Sequence, residues 1–296
     1  MKGRRLLSVA MAVLLVLSFP LAAAASQTLG VVISTLNNPF FVTLKDGAEE
    51  KAKELGVELV IYDAQDDSAK MTSSMEDLIQ KKVGGILVNP TDADAVVPSI
   101  LKANAAGIPG FTSDRGATSG EVVTYIASDN VAGGKMAGEF LAEKIGGKGK
   151  VVELVGIPGT SAARDRGKGF HEAMEGYPDI EIVASQAADF NRDRGLAVFE
   201  NILQAQPEID GVFAHNDEMV LGAIAAAEAA GRKGIVFVGF DAVGDAVKAV
   251  KDGRLAATVA QQPKEMGLLG VEYAVKYLGG ETIPDNVPVP LMLVTE

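Results

Sequence analysis

Apolar residues recur along this chain with two periods that take turns. Short β-branched runs suit buried strands, and longer stretches with an apolar residue every three or four positions suit helices. Residues 29–35 are the first run, and 40–55 follow with helical spacing and a glycine stop at Gly56. The pair repeats as strands 57–64, 85–89, 108–112 and 122–128 and helices 69–82 and 93–106. A second series starts at Asn130, where helices 130–145, 162–175, 192–204, 218–230 and 245–251 alternate with strands 150–155, 180–185, 211–214, 235–240 and 257–260. Such alternation predicts an α/β protein of two similar lobes, each a parallel sheet with helices on both faces. Helix 263–278 and a strand over 287–294 remain, and periodicity leaves them free to join either lobe.

The first 25 residues stand outside this pattern. Lys2, Arg4 and Arg5 form a basic start, residues 6–21 are apolar apart from Ser8, Ser18 and Pro20, and residues 22–25 are small with an A-x-A pattern. This is the signature of a secretory signal peptide cleaved near Ala25–Ser26. A transmembrane anchor is the competing reading, but the run is short for a bilayer core and lacks a basic stop-transfer flank.

Composition narrows the function. A length of 296 residues suits two cores, and 48% apolar with 22% charged residues is globular usage. No cysteine is present, which removes disulfides, thiolate metal sites and Cys nucleophiles. Loss of the leader removes three positive charges and no negative ones, moving the formal charge from −12 to −15. A strongly acidic exported chain repels phosphate, so nucleic acid is not an expected partner.

In open parallel sheets, ligands sit beyond the carboxyl ends of the strands. There the chain carries Ser34 to Phe41, Asn89-Pro90-Thr91-Asp92 and Ser113-Asp114-Arg115 in the first series. The second series carries Gly159 to Arg166, Asp189-Phe190-Asn191, His215-Asn216-Asp217-Glu218, Gly239-Phe240-Asp241 and Gln261-Gln262. Singly, the Asn and Asp residues suit helix caps, Phe40 and Phe41 suit a core, and Arg164 and Arg166 suit a solvated helix turn. As a set, amide, carboxylate, guanidinium and phenyl groups suit a polyhydroxylated ring. Its hydroxyls need donors and acceptors, and its C–H faces need apolar cover.

These segments, together with residues 126–130, 159–167 and 216–219, resemble the bacterial periplasmic ribose-binding proteins over about residues 27–294. The resemblance implies soluble receptors for sugar ABC importers, of the periplasmic binding protein type I fold. It implies two Rossmann-like lobes joined by three hinge strands near 128–129, 261–262 and 290–291, with sugar in the cleft. The lobes become 26–128 plus 262–290 and 129–261 plus 291–296, which places the last helix on the first. Matched positions imply ligand contacts from Asn38, Phe40, Phe41, Asn89, Asp114 and Arg115 in the first lobe. In the second they imply Arg166, Phe190, Asn216 and Asp241, with Gln261 at a hinge. The ligand implied is a monosaccharide, D-ribose. The partners are an ABC permease and, for some members, a chemotaxis receptor, and the expected state is a periplasmic monomer without cofactor. Residues 110–113 and His215 depart from the β-branched pattern expected there.

Catalytic signals are absent: two histidines, and no H-E-x-x-H, G-x-S-x-G or phosphate-loop motif. Asp114 and Asp241 could pair as glycosidase acid and base, but adjacent Arg115 and Arg166 are expected to lower both carboxyl pKa values and remove the acid. Three alternatives stay open. They are the same role for allose, xylose, galactose or a furanose-like signal, a sugar-modifying enzyme, and a sugar-responsive regulator, which would need a helix-turn-helix where this chain has its leader.

Overall fold

The computed structural model describes residues 28–296, so the leader and its cleavage point lie outside the described residues. The first series folds as β1 (Thr28–Ile33), α1 (Pro39–Leu55), β2 (Glu58–Asp63), α2 (Ser68–Gln80), β3 (Gly85–Val88), α3 (Val97–Ala105), β4 (Gly110–Ser113) and β5 (Val122–Ala127). The second folds as α4 (Asn130–Lys144), β6 (Lys148–Val155), α5 (Ser161–Met174), β7 (Asp179–Ala187), α6 (Arg192–Ala205), β8 (Gly211–Ala214), α7 (Asp217–Ala229), β9 (Val236–Asp241), α8 (Gly244–Lys251) and β10 (Ala257–Ala260). Then come α9 (Pro263–Leu278), β11 (Asn286–Pro288) and β12 (Met292–Val294).

Two six-stranded sheets result, ordered β11-β5-β4-β3-β1-β2 and β12-β10-β9-β8-β6-β7, so each repeats the same winding. The chain passes between them three times. It leaves the first sheet after β5, when α4 packs on β8, β9 and β10, and returns after β10, when α9 packs on β3, β4 and β5. The third passage splits the expected single strand 287–294. Its first part, β11, runs parallel to β5, and its second, β12, runs antiparallel to β10. Both sheets present their strand ends to the same cleft, so a chain leaving one sheet there enters the other running backwards. The second sheet is therefore parallel except at this edge.

Helix starts are fixed locally. Side chains of Asn38, Asp67, Asp129, Thr160, Asn191 and Asn216 accept backbone N–H groups at the openings of α1, α2, α4, α5, α6 and α7. Helix α3 starts four residues later than its apolar spacing predicts. Asp92 holds a turn by accepting from Asp94 N at 2.9 Å and Ala95 N at 2.7 Å, and Pro98 is confined to the first helical turn.

Apolar clusters cover both faces of each sheet, from α1 and α9 opposite α2 and α3, and from α4 and α5 opposite α6 to α8. Three helix pairs cross backbone to backbone. Gly47 and Gly267 let α1 meet α9, Gly134 and Gly169 let α4 meet α5, and Gly195 and Gly222 let α6 meet α7. A Cβ on Gly267 would overlap the carbonyl oxygen of Leu44. Gly267→Ala must push α9 away from α1, at about 1–3 kcal/mol of overpacking. We expect Tm to fall by about 3–10 °C in a thermal melt. An unchanged Tm would refute the close crossing.

Candidate functional site

Strand ends of both sheets deliver polar groups to one small cavity lined by Asn38, Phe40, Phe41, Asp114, Arg115, Ala162, Arg166, Phe190, Asn216, Asp241 and Gln261. All the ligand contacts implied by the resemblance line it except Asn89, and Ala162 joins them. Asn89 sits one layer behind. It accepts from Ser34 N at 3.3 Å and donates to Ser113 O at 3.0 Å and Asp114 Oδ2 at 3.3 Å, which aims the Asp114 carboxylate inward.

Both arginines are 3% exposed and held from several sides. The Arg115 guanidinium lies 5.0 Å from the Phe41 ring centre and 5.2 Å from that of Phe190, with Asp114 at 3.7 Å and Asp66 at 3.9 Å. Arg166 donates through Nε to Asn130 Oδ1 at 2.8 Å and through Nη1 to His215 O at 2.6 Å. It lies 3.9 Å from the Phe240 ring centre and 3.5 Å from Asp241. Asp241 also accepts from Gln261 Nε2 at 2.8 Å. Asn130 was not legible as a site residue. As an amide on the first turn after the Asp129 cap it looks like any helix start, and only the fold turns it toward Arg166.

The backbone is strained where it carries these groups. Asp114, Phe190 and Asp241 have φ of 62°, 56° and 116°, a region that L residues rarely occupy and that clusters at functional sites. The turn after β9 is braced by Asp217, which accepts from Val243 N at 2.9 Å and Thr258 Oγ1 at 2.7 Å.

Protonation runs opposite to the expectation from sequence. Burial raises the pKa of Asp114 and outweighs the lowering by Arg115 and Arg166. Burial likewise pushes Asp241 up to about 7, against the pull of Arg166 and the Gln261 hydrogen bond. Neighbouring guanidinium groups therefore do not pull either carboxyl below its ordinary pKa, because removing water costs each carboxylate more than the arginines return.

Two polar atoms of cavity-lining residues, Arg115 Nε and Gln261 Oε1, are buried and have no hydrogen-bond partner in the protein. Such atoms call for a ligand that both donates and accepts hydrogen bonds. Beside the cavity the lobes touch directly, with Ala93 N donating to Gly159 O at 3.0 Å and Gly116 N to Ser161 Oγ at 2.9 Å. Among the described residues no group of three or more His, Cys, Asp or Glu side chains is arranged to hold a metal ion.

Residues 29–282 match the periplasmic binding protein domain. The chain belongs to the periplasmic binding protein family. It is 50% identical to the ribose import binding protein RbsB of Haemophilus influenzae over 293 residues, covering 99% of this chain and all of that protein. It is also 50% identical to the RbsB of Bacillus subtilis over 269 residues, covering 91% and 87% of the two chains. Among solved structures, an ABC transporter periplasmic solute binding protein from Actinobacillus succinogenes with bound D-allose superimposes with a TM-score of 0.85. That pair shares 36% identity and covers 90% of this chain and 97% of the other. The two-lobed architecture of this periplasmic binding protein is thus common to relatives well below half identity.

Titration offers a direct check on the cavity. With the lobes held closed, a carboxyl should titrate near pH 7 by carbon NMR and vanish in Asp241→Asn. Because the folded pKa lies above the unfolded one, this group's contribution to stability is full below about pH 4 and is lost as pH rises through about 7. Carboxyl titrations confined below about pH 5 would refute the buried placement.

Proposed function

We propose that this protein captures a monosaccharide, D-ribose, between its lobes and hands it to a sugar ABC importer. One observation carries the reading: an arginine, carboxylate and phenyl cavity supplied by both lobes, with polar atoms unpartnered by protein. The relatives half identical over nearly the whole chain are ribose import binding proteins, which supports the same ligand.

Binding works by closure. Residues 26–128 plus 262–290 move against 129–261 plus 291–296 about the three passages between sheets. Because hydroxyls engage groups from both lobes, the sugar favours the closed arrangement and shifts the population toward it. Asn38, Asp114 and Arg115 supply the first lobe's polar contacts, with Asn89 holding Asp114 from behind, and Arg166, Asn216, Asp241 and Gln261 supply the second's. Phe40, Phe41 and Phe190 cover the C–H faces. The closed form is what a permease, or a chemotaxis receptor, distinguishes from the open one. The setting is the periplasm, reached through cleavage of the leader near Ala25–Ser26, and the working state is a monomer that turns nothing over and needs no cofactor.

A hexose adds a hydroxymethyl group that must displace a ring or bury a hydroxyl, each at about 1–3 kcal/mol. Calorimetry should find D-ribose tightest, with glucose and galactose weaker by about one to two decades or more. Equal binding of a hexose would defeat ribose and leave the sugar receptor standing. Arg166→Ala should lose about 2–5 kcal/mol of affinity while remaining folded by circular dichroism, since it leaves buried acceptors unpaired. Ribose binding at wild-type strength would remove Arg166 from the site. A raised Asp241 beside a second carboxyl is also what a glycosidase acid requires. Incubation with aryl ribosides should release no product, and turnover abolished by Asp241→Asn would make the protein an enzyme.

A further inference from the structure

Beneath the cavity lies a buried cluster that the sugar contacts do not use. Glu153, in the middle of β6 and 2% exposed, faces His215 and His171 and accepts from Ser185 of β7 at 2.6 Å. The fully buried His215 ring lies between two partners. Its Nε2 is 2.9 Å from Glu153 Oε1, and its Nδ1 accepts the backbone N–H of Gly156 at 3.3 Å. An acceptor Nδ1 carries no proton, so the ring is neutral with its hydrogen on Nε2, donated to an ionised Glu153. In that arrangement each hydrogen on the ring and on Gly156 N has an acceptor.

Both ends of His215 reach the sugar site. Its carbonyl accepts Arg166 Nη1 at 2.6 Å. Its ring holds Gly156, which is packed so closely under Phe190 that a Cβ there would overlap the aromatic ring. We propose that His215 is a positioning residue for the sugar site, holding Arg166 and Phe190 in place only while its Nδ1 is unprotonated, so that sugar binds the neutral form better. A proton on Nδ1 turns the acceptor into a donor facing the Gly156 N–H. The two must separate, and Gly156 cannot shift without moving Phe190.

The charged and titratable groups around the ring are Glu153 from β6 and Arg166 and His171 from α5, with Phe213 of β8 5.4 Å away in ring-centre distance. Burial lowers the pKa of His215, with Glu153 opposing and Arg166 and His171 assisting. The neutral form's contribution is therefore complete above about pH 6.5 and is lost as pH falls through the lower folded value. Asp114 and Asp241 titrate as well, so pH dependence of binding by itself does not isolate His215.

The inference rests on the sugar-binding reading, and the experiment separates the two. Affinity for the tightest sugar of a pentose and hexose panel is measured by calorimetry from about pH 8 to about pH 5 on wild type, His215→Gln and His171→Gln. Glutamine keeps a donor for Glu153 and does not titrate. We expect wild type to weaken about fivefold or more beyond His215→Gln across this range, and His171→Gln to follow wild type. In wild type with labelled histidine, NMR should show the Nε2–H form of His215 and a pKa that falls further on sugar saturation, as reciprocity demands. Parallel profiles for wild type and His215→Gln, or a His215 pKa unmoved by sugar, would overturn the proposal alone. Absence of any sugar binding at about pH 8 would overturn the functional reading with it.

Discussion

Taking four charges out of water in one small space is the constraint around which the molecule is built. Asp114, Arg115, Arg166 and Asp241 are each at most 6% exposed. An isolated buried charge is prohibitive, and a buried pair is tolerable only when geometry and extra hydrogen bonds return what hydration supplied. Here each arginine has an aromatic face as well as a carboxylate, and each carboxylate has an amide from Asn89 or Gln261. Even so, the raised pKa values of the two aspartates show that desolvation wins. With the lobes apart, water does this solvating; with the lobes together, something of similar hydrogen-bonding capacity must replace it. Two lobes, strained strand ends and polar atoms aimed at one cavity are all answers to that requirement.

Helix capping and ligand contact turn out not to compete. Asn38 and Asn216 line the cavity, and each also accepts the N–H that opens its helix. Asn216 in addition donates to Phe190 O at 3.3 Å, tying the strained Phe190 turn to the start of α7. A cap fixes its side chain in one rotamer, so capping supplies the rigidity that a specific contact needs.

The fold was legible where periodicity and burial agree. The runs at 211–214, 257–260 and 263–278 end where β8, β10 and α9 do, because each is bounded by turn or helix-start residues that act locally. Periodicity did not assign the stretch 287–294, since Val, Pro and Leu in succession do not reveal which sheet will hydrogen-bond them, and its partners Ala127 and Ala260 lie in separate sheets far from it in sequence. The site was legible as a set of strand-end residues. Spacing names neighbours without giving their depth, so the direction of the aspartate shifts came out reversed. Glu153 and His215, 62 positions apart, share no local pattern at all, and His215 showed as a strand-end residue that departs from the expected run, with nothing to name its partner.

The three passages between sheets bear on how the chain acquires its shape during synthesis. The first sheet needs β11, and its inner face needs Met266, Val271 and Ala274 of α9. A growing chain that has emerged only to residue 260 already contains most of both lobes in sequence and neither in finished form, since one lacks a covering helix and both lack an edge strand. Both sheets become complete within a few residues of one another, when the segment 286–294 takes its place across the cleft.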